Sequence, residues 1–325
     1  MNAPAQAKLE PGVYPGIPED EYFSWKAVSN SKLSPMAGKT PLHCKYAMDH
    51  PSEPKEAMIL GSAVDTLVFI PTLFGERFAI AGQCEAITQK KAQCSKMGSM
   101  RWDRRLESQG RFWWICKTHG TGDIRWGLPD AITILTPDQS STAYAMAKAV
   151  LNDPGASVLL AACEHTQLSL VWHEINNPSL PGLLCKARLD GISTELKTIV
   201  DLKKCQDASP EAFARSIANY GYHRQAAMYL RGATYHEFDV QNYVIIAVEE
   251  PPPHAVALYT LTERTPCNKQ IIQVNPSPVE YGNHELMRLL DLYERCETSG
   301  EWPGYPSKPV PIALPAWTMA KMERE

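Results

Sequence analysis

At 325 residues with 44% hydrophobic side chains, the chain is long enough for one large domain with a sizeable core. No run approaches a membrane span, and Met1-Asn2-Ala3-Pro4-Ala5-Gln6 lacks a basic-then-apolar signal, so a soluble, cytoplasmic protein with no membrane partner is expected. A net charge of −4 excludes general attraction to nucleic acid, and nine cysteines at irregular spacing exclude a regular disulfide framework and suit a reducing compartment.

Residues 1 to 25 are predicted to be a Pro-rich arm, followed by helical stretches over about 30 to 50 and 57 to 70. Between Ala81 and Gly120 eight basic residues (Lys90, Lys91, Lys96, Arg101, Arg104, Arg105, Arg111, Lys117) face three acids (Glu85, Asp103, Glu107). This segment is therefore +5 in a chain whose remainder is −9. Interleaved with Trp102, Phe112, Trp113 and Trp114, it suits either a grip on phosphates and unpaired bases or a solvated basic surface.

The same stretch holds Cys84, Cys94, Cys116 and His119 in the spacing C-x9-C-x21-C-x2-H. Thiolates and imidazole are preferred Zn²⁺ ligands, and four of them can hold a short segment that has little core. The competing reading makes the cysteines small buried hydrophobes, although Gln83, Glu85, Gln93, Ser95 and Lys96 surround them with polar residues. Four protein ligands would leave no open position, so such a zinc is structural.

An apolar helical pattern runs from Asp138 to Leu151 after Pro137. Two strand-like runs follow, Leu183 to Asp190 and Thr198 to Lys203, separated by a turn region beginning Gly-Ile-Ser-Thr, as in a hairpin. Alternation in the second run sends Asp201 and Lys203 to one face, and Asp190 at the end of the first run can meet them. Hydrolysis of a phosphodiester needs a divalent cation, hard oxygen ligands and a cation near the attacking water. Asp190 and Asp201 offer the ligands, the carbonyl of Leu202 adds another, and Lys203 suits the water, with Mg²⁺ or Mn²⁺ as the metal. Glu195-Leu196-Lys197 spells the same acid-x-Lys pattern, but five residues beyond Asp190 it falls in or near the turn and is expected to be solvated.

After these strands, Ser209 as N-cap, Pro210 at N1 and Glu211 in the first turn predict a helix running to about Leu230 and stopping at Gly232. Gln225 and Tyr229, four apart, share one face of it. Strands are expected over Tyr243 to Val248 and Ala255 to Leu261, a helix over Pro278 to Cys296, and an extended Pro-rich tail from Trp302.

These residues together resemble the PD-(D/E)xK nucleases of the RecB-like branch, and within it the RecE-type exonucleases (exodeoxyribonuclease VIII). The likeness covers most of the chain, through Val28 to Leu33, Pro41-Leu42-His43, Leu60 to Asp65, Gly182 to Asp190, Asp201-Leu202-Lys203, Tyr220 to Gln225, Glu301-Trp302-Pro303 and Leu314 to Trp317. It implies an α/β restriction-endonuclease-like core with a mixed central sheet flanked by helices, plus a small inserted Cys/His module. The divisions are residues 1–80, the insertion at 81–130, and the core with its tail at 131–325. It also implies metal acids at Asp190 and Asp201, a catalytic Lys203, and a Gln225 and Tyr229 pair.

Three positions depart from that pattern. Asp65 stands where a His is usual and can still ligate Mg²⁺, Leu189 replaces a Pro, and Gln167 replaces an acid. The implied activity is ATP-independent degradation of the 5′-ended strand of linear double-stranded DNA, leaving 3′ overhangs for recombination in a phage or prophage system. The implied partners are DNA ends, a RecT-type single-strand annealing protein and further copies of the chain in a ring. Two rival expectations are a catalytically decayed DNA-binding protein, with Asp65 and Gln167 as the marks of decay, and an endonuclease on the same fold.

Overall fold

A computed structural model describes residues 9–51, 55–82, 100–103, 112–115, 132–174, 182–263 and 276–313. In chain order, β1 (Gly12–Tyr14) and α1 (Glu19–Ser24) precede α2 (Asn30–Leu33), α3 (Pro41–Asp49), α4 (Glu56–Phe69) and α5 (Phe74–Arg77). Short strands β2 (Phe78–Ile80), β3 (Met100–Asp103), β4 (Phe112–Ile115) and β5 (Thr133–Leu135) lead to α6 (Pro137–Asn152) and α7 (Pro154–Ala161). The main strands are β6 (His165–Glu174), β7 (Leu183–Ser193) and β8 (Thr198–Cys205), then α8 (Pro210–Tyr220), α9 (Tyr222–Tyr235), β9 (Asn242–Glu249), β10 (Val256–Thr260) and α10 (Pro278–Ser299).

Six strands form one mixed sheet in the order β1-β6-β7-β8-β9-β10. β8 and β9 pair in parallel, their crossover carried by α8 and α9, while the other neighbours are antiparallel. This central pair is buried on both faces, which explains its continuous β-branched and apolar run. Ile199, Tyr243, Ile245 and Ala247 join one core with residues of α9 and α10. Val200, Leu202, Ile246 and Val248 join a second core with α4 and α6. The result is a sheet with helices on either side, the α/β architecture expected from the sequence.

Helix ends follow local chemistry. Thr136 and Gln139 close a capping box before α6, and Ser277 and Glu280 close another before α10, each with Pro at the first turn. Ser209 precedes Pro210 as predicted, but its side chain makes no capping bond.

Two expectations are corrected. The single helix predicted to end at Gly232 is two helices divided at Gly221, whose φ of 69° is the left-handed conformation that glycine tolerates. Gly232 lies inside α9 because a Cβ there would sit 2.7 Å from the Trp172 ring of β6; it is a packing position, not a stop. Within the described part of the Pro-rich arm, β1 pairs with β6, and Lys186 donates to the carbonyls of Tyr22 at 2.7 Å and Trp25 at 3.0 Å.

β2 pairs in parallel with β5, so the chain leaves at Ile80 and returns at Thr133 to the same two-stranded ladder. β3 and β4 pair antiparallel between these points. The candidate zinc ligands Cys84, Cys94, Cys116 and His119 lie outside the described residues.

Candidate active site

The sheet opens at one place. β7 pairs with β8 only through Gly191, Ile192 and Ser193, and the ladder stops before Asp190 and Asp201, which would come next in register. On the other side of β7 the β6 ladder skips the position where Gln167 would face Asp190. Gln167 has φ 50°, uncommon for a residue with a side chain, so the backbone is distorted where the ladders part. Side chains replace the missing main-chain pairing: Asp190 Oδ2 accepts the Leu202 N–H at 3.0 Å.

Asp201 is fully buried, and Gln225 from α9 donates to its Oδ1 at 2.8 Å. Lys203 Nζ meets its Oδ2 in an ion pair of 2.5 Å. Asp65, on α4, accepts from Gln167 Nε2 at 2.9 Å, and Gln167 Oε1 accepts from Arg188 Nε at 2.9 Å. Asp65, Asp190, Leu202, Lys203 and Gln225 line one cleft of about 840 Å³. Tyr229 is part-buried one turn beyond Gln225, packs edge-on to Tyr243 at 6.2 Å and lies close to Gln225 and the strand acids. Burial, with the charges of Asp190 and Asp201 adding to it, holds its hydroxyl well above the usual tyrosine range. Glu195 and Lys197 are exposed in the turn, Lys197 pairing with Asp239.

The electrostatics are those of crowded acids. Burial pushes the Asp65 carboxyl up to about 7, with Lys203 opposing and Asp201 adding to the rise. Burial also holds Asp190 well above the usual carboxylate range, reinforced by Asp201 and Asp65. For Lys203 burial works to lower the pKa, but Asp201 and Asp190 outweigh it, so the ammonium is held above its ordinary range and stays charged.

Among the described residues no three His, Cys, Asp or Glu side chains are placed so as to hold a metal ion between them. The donor set still fits a hard divalent cation. It offers several buried carboxylate oxygens whose mutual repulsion a cation would relieve, Asp190 and Asp65 each being raised in part by the neighbouring acids. Asp65, Asp190, Asp201 and the Leu202 carbonyl are the residues that would hold it.

Two neighbours were not singled out as site residues from the sequence. Arg188 is two residues before Asp190 on the same strand, a spacing that marks a shared face only if the strand is regular. Tyr222 places its ring 5.2 Å from Lys203 Nζ, a contact that depends on the break at Gly221.

The fold is that of the PD-(D/E)xK nuclease class. Residues 133–309 match the family described as PDDEXK-like domain of unknown function (DUF3799), and the chain belongs to that family. A crystal structure named "Putative exonuclease" from Eubacterium rectale is similar in fold, with a TM-score of 0.52 at 13% identity, over 93% of this chain and 97% of that one. The structure of SSO0001 overlaps 47% of this chain and 68% of its own at 14% identity, and its TM-score of 0.27 is too low to bear on the fold. No curated protein matches.

Proposed function

We propose that the protein is a metal-dependent DNA nuclease that hydrolyses phosphodiesters at the Asp190, Asp201 and Lys203 cluster. The observation that carries this is the parting of β7 from β8 at Asp190, beside a Lys203 that pairs with Asp201, on a PD-(D/E)xK fold. A bound Mg²⁺ or Mn²⁺ would supply Lewis-acid stabilisation of charge on the phosphoryl oxygens.

The chain's own residues do the rest. Asp190 and Asp201 present oxygens from adjacent strands, and Gln225 holds one Asp201 oxygen so that the carboxylate cannot rotate freely. Gln167 does the same for Asp65. Lys203, kept charged by the acids around it, orients a water and stabilises the hydroxide that forms as this water gives its proton to bulk solvent. It is therefore an electrostatic group and not a general base.

Within that class we read the chain as an ATP-independent exonuclease of the RecE type, acting on the 5′-ended strand of linear duplex DNA. The resemblance running from Val28 to Trp317 supports this, and the exonuclease name of the Eubacterium rectale neighbour points the same way. A ring of copies around the duplex, a RecT-type annealing partner and a structural zinc on Cys84, Cys94, Cys116 and His119 belong to the same reading.

Linear duplex with separate 5′ and 3′ labels, beside a circular duplex, tests it in Mg²⁺ without ATP. Release of the 5′ label from linear DNA alone is expected. Cutting of the circle would make the protein an endonuclease, and binding without metal-dependent turnover would make it a DNA-binding protein with a decayed site.

A further inference from the structure

Lys203 Nζ lies 5.2 Å from the ring of Tyr222, the third ring in a run of four. Tyr259 stacks on Phe213, centroids 4.9 Å apart and planes 15° apart, and Phe213 lies 6.3 Å from Tyr222. Tyr222 stacks in turn on Tyr220 at 5.6 Å and 27°. Phe213 is fully buried and Tyr220 is 66% exposed, so the run climbs from the core to the surface. Tyr220, Tyr222 and Lys203 all line the cleft.

This stack is not what a helix would produce. Residues two apart on a continuous helix point to nearly opposite sides and cannot meet. The left-handed Gly221 between α8 and α9 turns the chain so that Tyr220 and Tyr222 lie face to face. Met58 also lines the cleft and is 63% exposed, a soft side chain suited to the flat face of a ring.

We propose that Tyr220, backed by Tyr222 and Phe213, is a stacking site for one unpaired nucleobase of the strand whose phosphate reaches Lys203. This rests on the nuclease reading above and adds the state of the substrate. A paired base inside a duplex has both faces covered, so the cleft takes a strand that is already single or frayed at its end. Every base has a π-face, so the site selects for an unpaired base and not for a sequence. The rings behind Tyr220 make the platform rigid and leave its outer face free.

The test uses the full chain and a short single strand with phosphorothioate linkages, in Mg²⁺, with 2-aminopurine as the reporting base. Wild-type protein is expected to quench the 2-aminopurine on binding. Tyr220→Ala should lose the quench and bind on the order of 5- to 150-fold more weakly, the usual effect of removing one stacked base contact, whereas Tyr220→Trp should keep both. Equal quench and affinity in Tyr220→Ala would overturn the stacking site while leaving the nuclease reading intact, provided that duplex cleavage persists. Wild-type protein that neither binds nor cuts DNA would sink the nuclease reading and the site together. A Tyr220→Ala variant with unchanged DNA binding but an altered sedimentation coefficient would make Tyr220 a contact between copies and overturn the proposal.

Discussion

Gln167 on β6 donates from Nε2 to Asp65 Oδ2 on α4 at 2.9 Å, joining positions 102 residues apart. The Gln167 backbone is left-handed, which costs a residue with a side chain about 1–2 kcal/mol. The strain lies directly opposite Asp190, where the ladders open, and the same side chain also holds Arg188. Gln167 thus ties Asp65 on α4 to Arg188, two residues before Asp190 on β7.

Gln167→Gly should separate stability from function. Glycine removes the strain, offsetting the lost hydrogen bonds, so the melting temperature should change little. Freeing Asp65 should raise the Mg²⁺ concentration needed for half-maximal cleavage by about 10- to 100-fold, as losses around metal ligands commonly do. An unchanged Mg²⁺ dependence would show that Asp65 needs no such support.

Much of this site was legible in the sequence because it is local. The alternation that sets Asp201 and Lys203 on one face, and the helical spacing of Gln225, are short-range properties of strand and helix. Asp65 entered only by resemblance, since nothing in residues 57 to 70 ties that helix to the β7 acids. The bridge through Gln167 was not legible because it depends on a left-handed residue that no propensity favours. Gly221 and Gly232 were misassigned for one reason: a glycine in a helical pattern signals either a left-handed break or a close contact, and only the packing partner tells which. The strand in the arm was obscured by its prolines and by its being three residues long.

The close approach of α10 to α9 gives a second prediction. A Cβ on Gly282 would lie 2.1 Å from the His223 carbonyl oxygen, which is backbone and cannot swing aside. Gly282→Ala should force the helices apart, lower stability by more than about 2 kcal/mol and disturb the seat of Gln225 two residues on. Gly75→Ala, with nothing within 4 Å, should be neutral or stabilising by about 0.5–1 kcal/mol. Urea denaturation of the two variants decides it, and equal stabilities would contradict the packing described.

Lys186 makes stability depend on pH. It is 5% exposed, and burial, with help from Lys32, pulls its ammonium down to about 8. The unfolded chain then binds more protons than the folded one between about pH 8 and the usual lysine range. The cost of the buried charge is thus fully present below pH 8 and is relieved as pH rises through that window. Comparing melting curves of wild type and Lys186→Met isolates it: the wild type should gain relative to the variant from pH 8 to 10. A flat difference would mean that the amine keeps an ordinary pKa.

Two acid-x-Lys patterns closely follow Asp190 in the chain, and only one can be catalytic. Glu195 and Lys197 are exposed in the turn, whereas Lys203 lines the cleft and pairs with the buried Asp201 behind it. The most direct measurement is single-turnover cleavage of linear duplex DNA in Mg²⁺ by wild type, Lys203→Ala and Lys197→Ala, with melting curves to show that all three fold. Loss of at least about 10²-fold in Lys203→Ala, with Lys197→Ala at the wild-type rate, is the result expected for an electrostatic group at the reacting phosphate. A Lys203→Ala enzyme at full rate, or a wild-type protein with no Mg²⁺-dependent cleavage, would contradict the assignment of the active site.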